Sequence, residues 1–190
     1  MQKKVILVDS DVISHFIAAG KIDDLTRILY PHSLQVVSQV YKESTHHPFF
    51  EERKDEVDEW MNRCHIAKID FPYSNVNIKL EYYRLKKENP RFGEGERACM
   101  AIAKYWKDVI ASSNFRDVAE YCDVNGIEYI GFMDILTIAL RKSIYTIDEC
   151  NKIIHDITIV NDARLPVDDI TKYKPTRDLC GPRPNNPSLP

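Results

Sequence analysis

Long apolar runs are missing from this sequence. No stretch of 18 apolar residues occurs among its 190, and no charged leader runs into an apolar core. Neither a membrane span nor a secretory signal is therefore expected. Paired cysteines are missing as well: the five (64, 99, 122, 150 and 180) are scattered, odd in number and never spaced as CxxC. That pattern argues against a disulfide framework and for a reducing, cytoplasmic compartment. Positive charge is also scarce, with 26 Lys and Arg against 29 acidic residues and a net charge of -3. Broad electrostatic adhesion to nucleic acid is disfavoured, but a local basic patch aided by a metal ion is not, because the metal brings its own charge. No internal repeat is present.

What the chain does contain is 44% apolar and 29% charged residues, the composition of an ordinary globular protein with a core large enough for one α/β domain. Residues 1–160 form that expected domain. Six of the ten prolines fall in the last 25 residues, so 161–190 reads as an extended or disordered tail that lies over the domain or hangs free.

The stretch that organises the rest is KKVILVDSDVI, residues 3–13. Val5, Ile6, Leu7 and Val8 predict a strand buried on both faces, as at the centre of a parallel sheet. Asp9 and Asp11 follow at its carboxyl end, the edge where open α/β sheets bind ligands. An Asp there either caps the next helix or takes part in chemistry.

Helices are predicted over 11–19, closed by Gly20, and over 22–30, stopped by Pro31. A strand over 34–37 leads to Ser38 as an expected N-cap, and to a helix whose Val40 and Glu43 share one side, near the inner face. A charged helix over 49–63, with Phe50, Val57, Trp60 and Met61 as its apolar contacts, precedes a strand over 65–71. His46, His47, Cys64 and His65 match no common zinc spacing, and no zinc is assigned. Residues 75–87 predict a helix in which Lys79, Arg84, Lys86 and Lys87 interleave with Tyr82 and Tyr83. Such a face either holds single-stranded nucleic acid by phosphate contacts and stacking or is simply solvated.

A break over 90–95 precedes the helix ERACMAIAKYW. Glu94 and Glu96 point about 200° apart, so only one of them faces the site. Glu96 shares its side with Cys99, Met100 and Ala103 and is the inward one. A strand over 108–112 then places Ser113 and Asn114 at the ligand edge, and the helix over 115–122 carries Arg116 and Asp117 in its first turn. A strand over 128–130, an apolar helix over 132–142 and a helix over 146–157 with a Thr146/Glu149 capping box complete the domain.

Alternating strands and helices gather Asp9, Glu43, Glu96 and Asn114 at one sheet edge. Two carboxylates 4 Å apart repel by roughly 4 kcal/mol at an effective dielectric of 20, so a positive group belongs among them. No basic residue falls at these strand ends, and oxygen-rich acidic sites suit Mg²⁺ or Mn²⁺. Such ions favour hydrolytic phosphoryl chemistry.

The order VILVDSDVI, VSQVYKES, GEGERACMAIA, VIASSNFRDVAEY and GFMDIL resembles the PIN-domain family of metal-dependent ribonucleases, in its Gly-Glu-x-Glu branch, over roughly residues 3–145. The resemblance implies a three-layer α/β/α sandwich around a mainly parallel sheet, and cleavage of single-stranded RNA with Mg²⁺ or Mn²⁺. It implies the role of toxin in a toxin-antitoxin pair, with a small antitoxin protein and a second copy of the chain as partners. By motif, Asp9, Glu43, Glu96 and Asp117 are the implied catalytic residues and Asp9, Glu96, Asn114 and Asp117 the implied metal ligands. Ser10, Ser113, Asn114 and Arg116 are the implied substrate contacts. Asn114 stands where many members of the family have an acid, and neither the insert over 46–87 nor the proline-rich tail belongs to a minimal domain. A weakly active or inactive PIN-fold interaction module is thus an alternative. A haloacid-dehalogenase-type phosphatase, with Asp9 as nucleophile and Asp11 as general acid, is another, although it requires a later lysine and paired acids where this chain has Ser113 and Asn114.

Overall fold

The computed structural model describes residues 3–46 and 52–175, apart from the side chains of residues 52, 53 and 115–117. Its strands are β1 (Val5–Val8), β2 (Ser33–Val37), β3 (Ala67–Ile69), β4 (Val109–Ala111) and β5 (Tyr129–Ile130). All pair in parallel, in the order β3-β2-β1-β4-β5. Ile6, Leu7 and Val8 are fully buried, so the uninterrupted apolar run does become the central strand. The chain goes from β1 outward through β2 to β3, then returns to the other side of β1 for β4 and β5. The gap between the carboxyl ends of β1 and β4 is therefore the switch point at which such sheets open a crevice.

Helices flank this sheet in an α/β/α sandwich: α1 (Ser10–Ala18), α2 (Asp24–Leu29), α3 (Ser38–Thr45), α4 (Glu52–Arg63), α5 (Val76–Glu88), α6 (Glu94–Trp106), α7 (Phe115–Asn125), α8 (Phe132–Arg141) and α9 (Ile147–Val160). Gly20, just beyond α1, has φ +62, and Gly126, ending α7, has φ +63; both stop a helix in the left-handed conformation that glycine adopts without strain. The Thr146/Glu149 capping box opens α9, with both reciprocal hydrogen bonds formed.

Several boundaries differ from expectation. The strand expected over 65–71 shortens to Ala67–Ile69, because His65 turns the chain with φ +51 and β3 is an edge strand. Ser38 is not an N-cap: Val37 holds that position, and the Ser38 hydroxyl accepts from the Phe71 N–H at 3.4 Å instead. The break expected through Gly95 ends at Gly93, and α6 begins at Glu94. Val57, Trp60 and Met61 of α4 are buried, while the expected start at Phe49 and the contact of Phe50 lie outside the described residues.

Of the tail expected over 161–190, residues 161–175 are described. They lie over α8 and α9: Ile170 is buried in a short 3-10 turn, its N–H bonds to Asn151 at 2.8 Å, and the Tyr173 hydroxyl donates to Asp134 at 3.0 Å. Residues 176–190 lie outside the description. No helix among the described residues is long and apolar enough to cross a membrane.

One buried carboxylate ties three helices together. Glu81 of α5 accepts from Arg84 at 2.6 Å, from the Tyr121 hydroxyl of α7 at 2.7 Å and from Lys104 of α6 at 3.1 Å. Burial alone would raise its pKa, but Arg84, Tyr121 and Lys104 outweigh burial and hold it at about 2. A depressed pKa stabilises the fold above the ordinary carboxylate range, and that stability is lost as pH falls toward 2. Arg84 and Lys104 are partly solvated, 42% and 26% exposed, which screens the pairs and leaves about 1–2 kcal/mol. Glu81→Gln should lower Tm at pH 7 by about 2–6 °C. Melting curves for the two proteins should converge at pH 2.

Candidate active site

Asp9 follows β1 directly and is the N-cap of α1, where its Oδ1 accepts from the Ser10 N–H at 2.9 Å. Its backbone N–H continues the ladder to Ala111 of β4, and so sets Asp9 beside Ser112. The Ser112 hydroxyl donates to Asp9 Oδ2 at 2.9 Å. Asp9 thus caps a helix and occupies the switch point at once. Only 3% of it is exposed. Burial, then Asp11, raise its pKa; the Ser112 and Ser10 donors oppose them, Glu43 adds to them, and the carboxyl is pushed up to about 7.

Glu43 reaches the same edge from α3. The residue is largely exposed, yet its carboxylate is held: Oε1 accepts from the Gly95 N–H at 3.0 Å and Oε2 from the Ser10 hydroxyl at 3.3 Å. The Gly95 donor belongs to the first turn of α6, where N–H groups lack helical partners and the helix dipole favours negative charge. Glycine is required for this approach. A Cβ on Gly95 would stand 2.5 Å from Glu43 Oε2 and 2.8 Å from Val40 Cγ2, and a Cβ on Gly93 would stand 3.1 Å from Glu43 Oε1.

One residue beyond Gly95, Glu96 is 7% exposed, whereas Glu94 is exposed. Glu96 Oε1 accepts from the Asn114 side-chain amide at 2.9 Å. Asn114 is the N-cap residue of α7, but its side chain bonds to Glu96 and makes no cap; its N–H donates to Ser112 Oγ at 3.2 Å. Ser112 therefore joins Asp9 to Asn114, and Asn114 joins Ser112 to Glu96. Beneath these groups lies the buried thiol of Cys99, whose pKa burial raises strongly, with further increments from Asp9, Glu43 and Glu96.

Among the described residues no cation pairs with Asp9 or Glu43. Arg97, next to Glu96 and 5% exposed, turns its guanidinium to the Phe92 carbonyl and lies 5.5 Å above the Tyr82 ring. Carboxylate and amide oxygens on Asp9, Glu96 and Asn114 are the donor type that Mg²⁺ or Mn²⁺ takes. Among the described residues, however, no three His, Cys, Asp or Glu side chains stand close enough together to hold an ion, for each carboxylate is turned to its own donor. A cleft of about 260 Å³ opens beside Ser10 and Glu43, running along Asp11, Ser14 and Ile17 of α1 and Ser44 of α3.

Of the other residues singled out in the sequence, Ser10 reaches Glu43, and Ser113 stands between Ser112 and Asn114 with a buried hydroxyl that has no hydrogen-bond partner among the described residues. Asp117 and Arg116 lie in the first turn of α7, and their side chains are outside the description. Sequence reasoning missed Ser112, Gly93 and Gly95. The two glycines flanking Glu94 were the available signal, since paired glycines entering a helix mark a close approach of other atoms.

No family model matches the chain, and no curated protein matches it in sequence. Among solved structures, a chain of the crystal structure of VapBC2 from Rickettsia felis bound to a DNA fragment from its promoter is similar. The TM-score is 0.50 at 13% identity, covering 67% of this chain and 98% of that one. At that identity the likeness is one of fold.

Two outcomes test the geometry. A carboxyl whose folded pKa is raised to about 7 lowers stability progressively as pH rises from 4 to 7, because the unfolded chain gives up the proton first. Asp9→Asn should therefore raise the metal-free Tm at pH 7.5, by up to about 4 kcal/mol of stability, and leave it unchanged near pH 4. Gly95→Ala should lower Tm by about 3–6 °C despite its better helix propensity, because α3 must move away from α6. A rise in Tm for Gly95→Ala would show that the approach is not tight.

Proposed function

We propose that this protein is a PIN-type endoribonuclease that hydrolyses single-stranded RNA with Mg²⁺ or Mn²⁺, acting as the toxin of a toxin-antitoxin pair and partnered by a small antitoxin protein. Asp9 carries the reading. A carboxylate is buried at the switch point of an all-parallel sheet, Glu43 reaches the neighbouring Ser10 hydroxyl, Glu96 is linked to Asp9 through Asn114 and Ser112, and the adjacent buried arginine is directed elsewhere. Burying the Asp9 carboxylate without a cation costs several kcal/mol, a cost that a bound positive ligand would offset. The order of the sequence motifs and the fold shared with a VapBC2 chain support the same reading.

Asp9 and Glu96 would hold the ion, and the resemblance to the PIN family adds Asn114 and Asp117 to the set. When bound, the ion supplies charge for the attacking and leaving oxygens of a phosphodiester and lowers the pKa of a water. Ser112 fixes the rotamer of Asp9, and Asn114 that of Glu96. Glu43, solvent-facing and held by the Gly95 N–H, would take the proton of the attacking water. Ser10, beside the cleft, would contact the RNA, and the resemblance adds Ser113, Asn114 and Arg116 to the substrate contacts.

A second reading, an inactive interaction module on the same fold, draws support from Asn114, a neutral amide bonded to Glu96 where an acid would add charge for a second ion.

Incubating the purified chain with labelled single-stranded RNA and Mn²⁺ should give cleavage that EDTA abolishes. Asp9→Asn and Glu96→Gln should reduce the rate about 10²-fold or more, and Glu94→Gln only a few-fold. Ion binding at a hundredfold excess over Kd adds about 2.7 kcal/mol, a rise in Tm of roughly 5–10 °C. A Tm response without cleavage assigns the interaction module. Turnover of a small phosphomonoester that depends on Asp9 assigns the phosphatase. No response of either kind at millimolar metal overturns the metal site and the enzyme together.

A further inference from the structure

We propose that the exposed face of α5, with Tyr73 before it and Arg91 after it, is the track that leads single-stranded RNA to the carboxylates; the choice of ligand rests on the nuclease reading. A cluster of acids repels a polyanion, so a chain of net charge -3 must gather its cations where the strand approaches. Between residues 79 and 91 the exposed side chains include Lys79, Arg84, Lys86, Lys87 and Arg91. Arg84 is engaged by Glu81 and Glu88, whereas Lys79, Lys86, Lys87 and Arg91 have no acidic partner among the described residues. Glu81, the other acid of the helix, is buried and already paired.

The track has a built aromatic component. Tyr73 and Tyr83 are 54% and 48% exposed, and two buried rings connect them. Tyr83 meets Tyr82 edge to face at 5.5 Å, Tyr82 meets Phe71 at 5.0 Å, and Phe71 meets Tyr73 at 4.8 Å. Exposed rings backed by buried ones are held as platforms, and every base has a face to stack on them.

Both ends of the α5 segment connect to the helices that carry Glu43 and Glu96. The Tyr73 hydroxyl accepts from Gln39 Nε2 at 3.4 Å, and Gln39 lies one turn before Glu43 on the same side of α3. At the other end, residues 89–93 connect α5 to the first turn of α6, whose Gly95 N–H holds Glu43. Lys86, Lys87 and Arg91 stand on that approach.

Val76 and Leu80 continue the exposed stripe at the far end of the helix, 65% and 63% exposed, in the i, i+4 spacing that would also suit an amphipathic helix of an acidic protein. The free cations and the aromatic row favour RNA, since a helical partner would draw on the aliphatic residues first.

The test is fluorescence anisotropy of the full chain with a labelled, mixed-sequence RNA of about 16 nucleotides, in EDTA so that binding is read apart from cleavage, over a series of salt concentrations. Wild type should bind. The double variant Lys86→Ala/Lys87→Ala should flatten the log–log salt dependence by about 1.4, two phosphates at about 0.7 each. Tyr83→Ala should weaken binding about 5- to 150-fold with the slope unchanged, Tyr83→Phe should restore it, and Leu80→Ser should have no effect. Absence of binding by wild type, or wild-type affinity and slope in the Lys86/Lys87 and Tyr83→Ala variants, overturns the track. So does loss confined to Leu80→Ser, which gives the stripe to a protein partner. A chain that binds through α5 but cleaves no RNA with Mn²⁺ keeps the track and overturns the nuclease; one that cleaves while the α5 variants bind normally does the reverse.

Discussion

A carboxylate at the end of a fully buried strand is the constraint around which this molecule is arranged. Asp9 cannot retreat into water, because Ile6, Leu7 and Val8 hold β1 at the middle of the sheet and the β4 ladder extends to the Asp9 backbone itself. Its oxygens must be satisfied locally. Ser10 N–H and the Ser112 hydroxyl do this, and Ser112 in turn receives the Asn114 N–H, so the carboxyl end of β4 is shaped by the acid at the end of β1. Neutral donors of this kind orient a carboxylate without cancelling its charge, which leaves the local field available to a ligand.

The second requirement is closeness of α3 and α6. Glu43 and Glu96 lie on different helices, and they reach the same edge only because the first turn of α6 presents backbone, with no side chain, at Gly95. Farther along, Glu81 fixes α6 against α5 and α7 through Lys104, Arg84 and Tyr121. One end of α6 is thus positioned by glycine and the other by charge. The helices that carry Glu96 and Asn114 are also set relative to each other away from these residues, where Lys104 and Tyr121 both meet Glu81.

How much of this was legible in the sequence depends on whether the signal was local. The apolar run of β1, the opposed phases of Glu94 and Glu96, and the Thr146/Glu149 box are written in neighbouring residues, and the parallel α/β architecture follows from their alternation. Features set by distant partners were not legible. Ser38 looks like an N-cap but serves the Phe71 backbone, thirty-three residues away. Ser112 looks like a strand end but is the hinge of the site's hydrogen bonds, and Gly95 looks like a break but is a helical residue that leaves Val40 and Glu43 room a Cβ would fill. Each of these reversals arises because a side chain's partner is chosen by tertiary contact and not by spacing.

The buried thiol beneath the acids has a consequence for chemical durability. Oxidants and alkylating agents attack thiolate, and thiolate forms readily only where positive charge or a helix N-terminus stabilises it. Cys99 sits in the opposite environment, desolvated and under the influence of three carboxylates, so it stays protonated and inert. The same negative potential that would recruit a cation to the upper side of the cluster therefore shields the sulfur below it. An oxidant that reaches the acids meets no accessible thiol at Cys99.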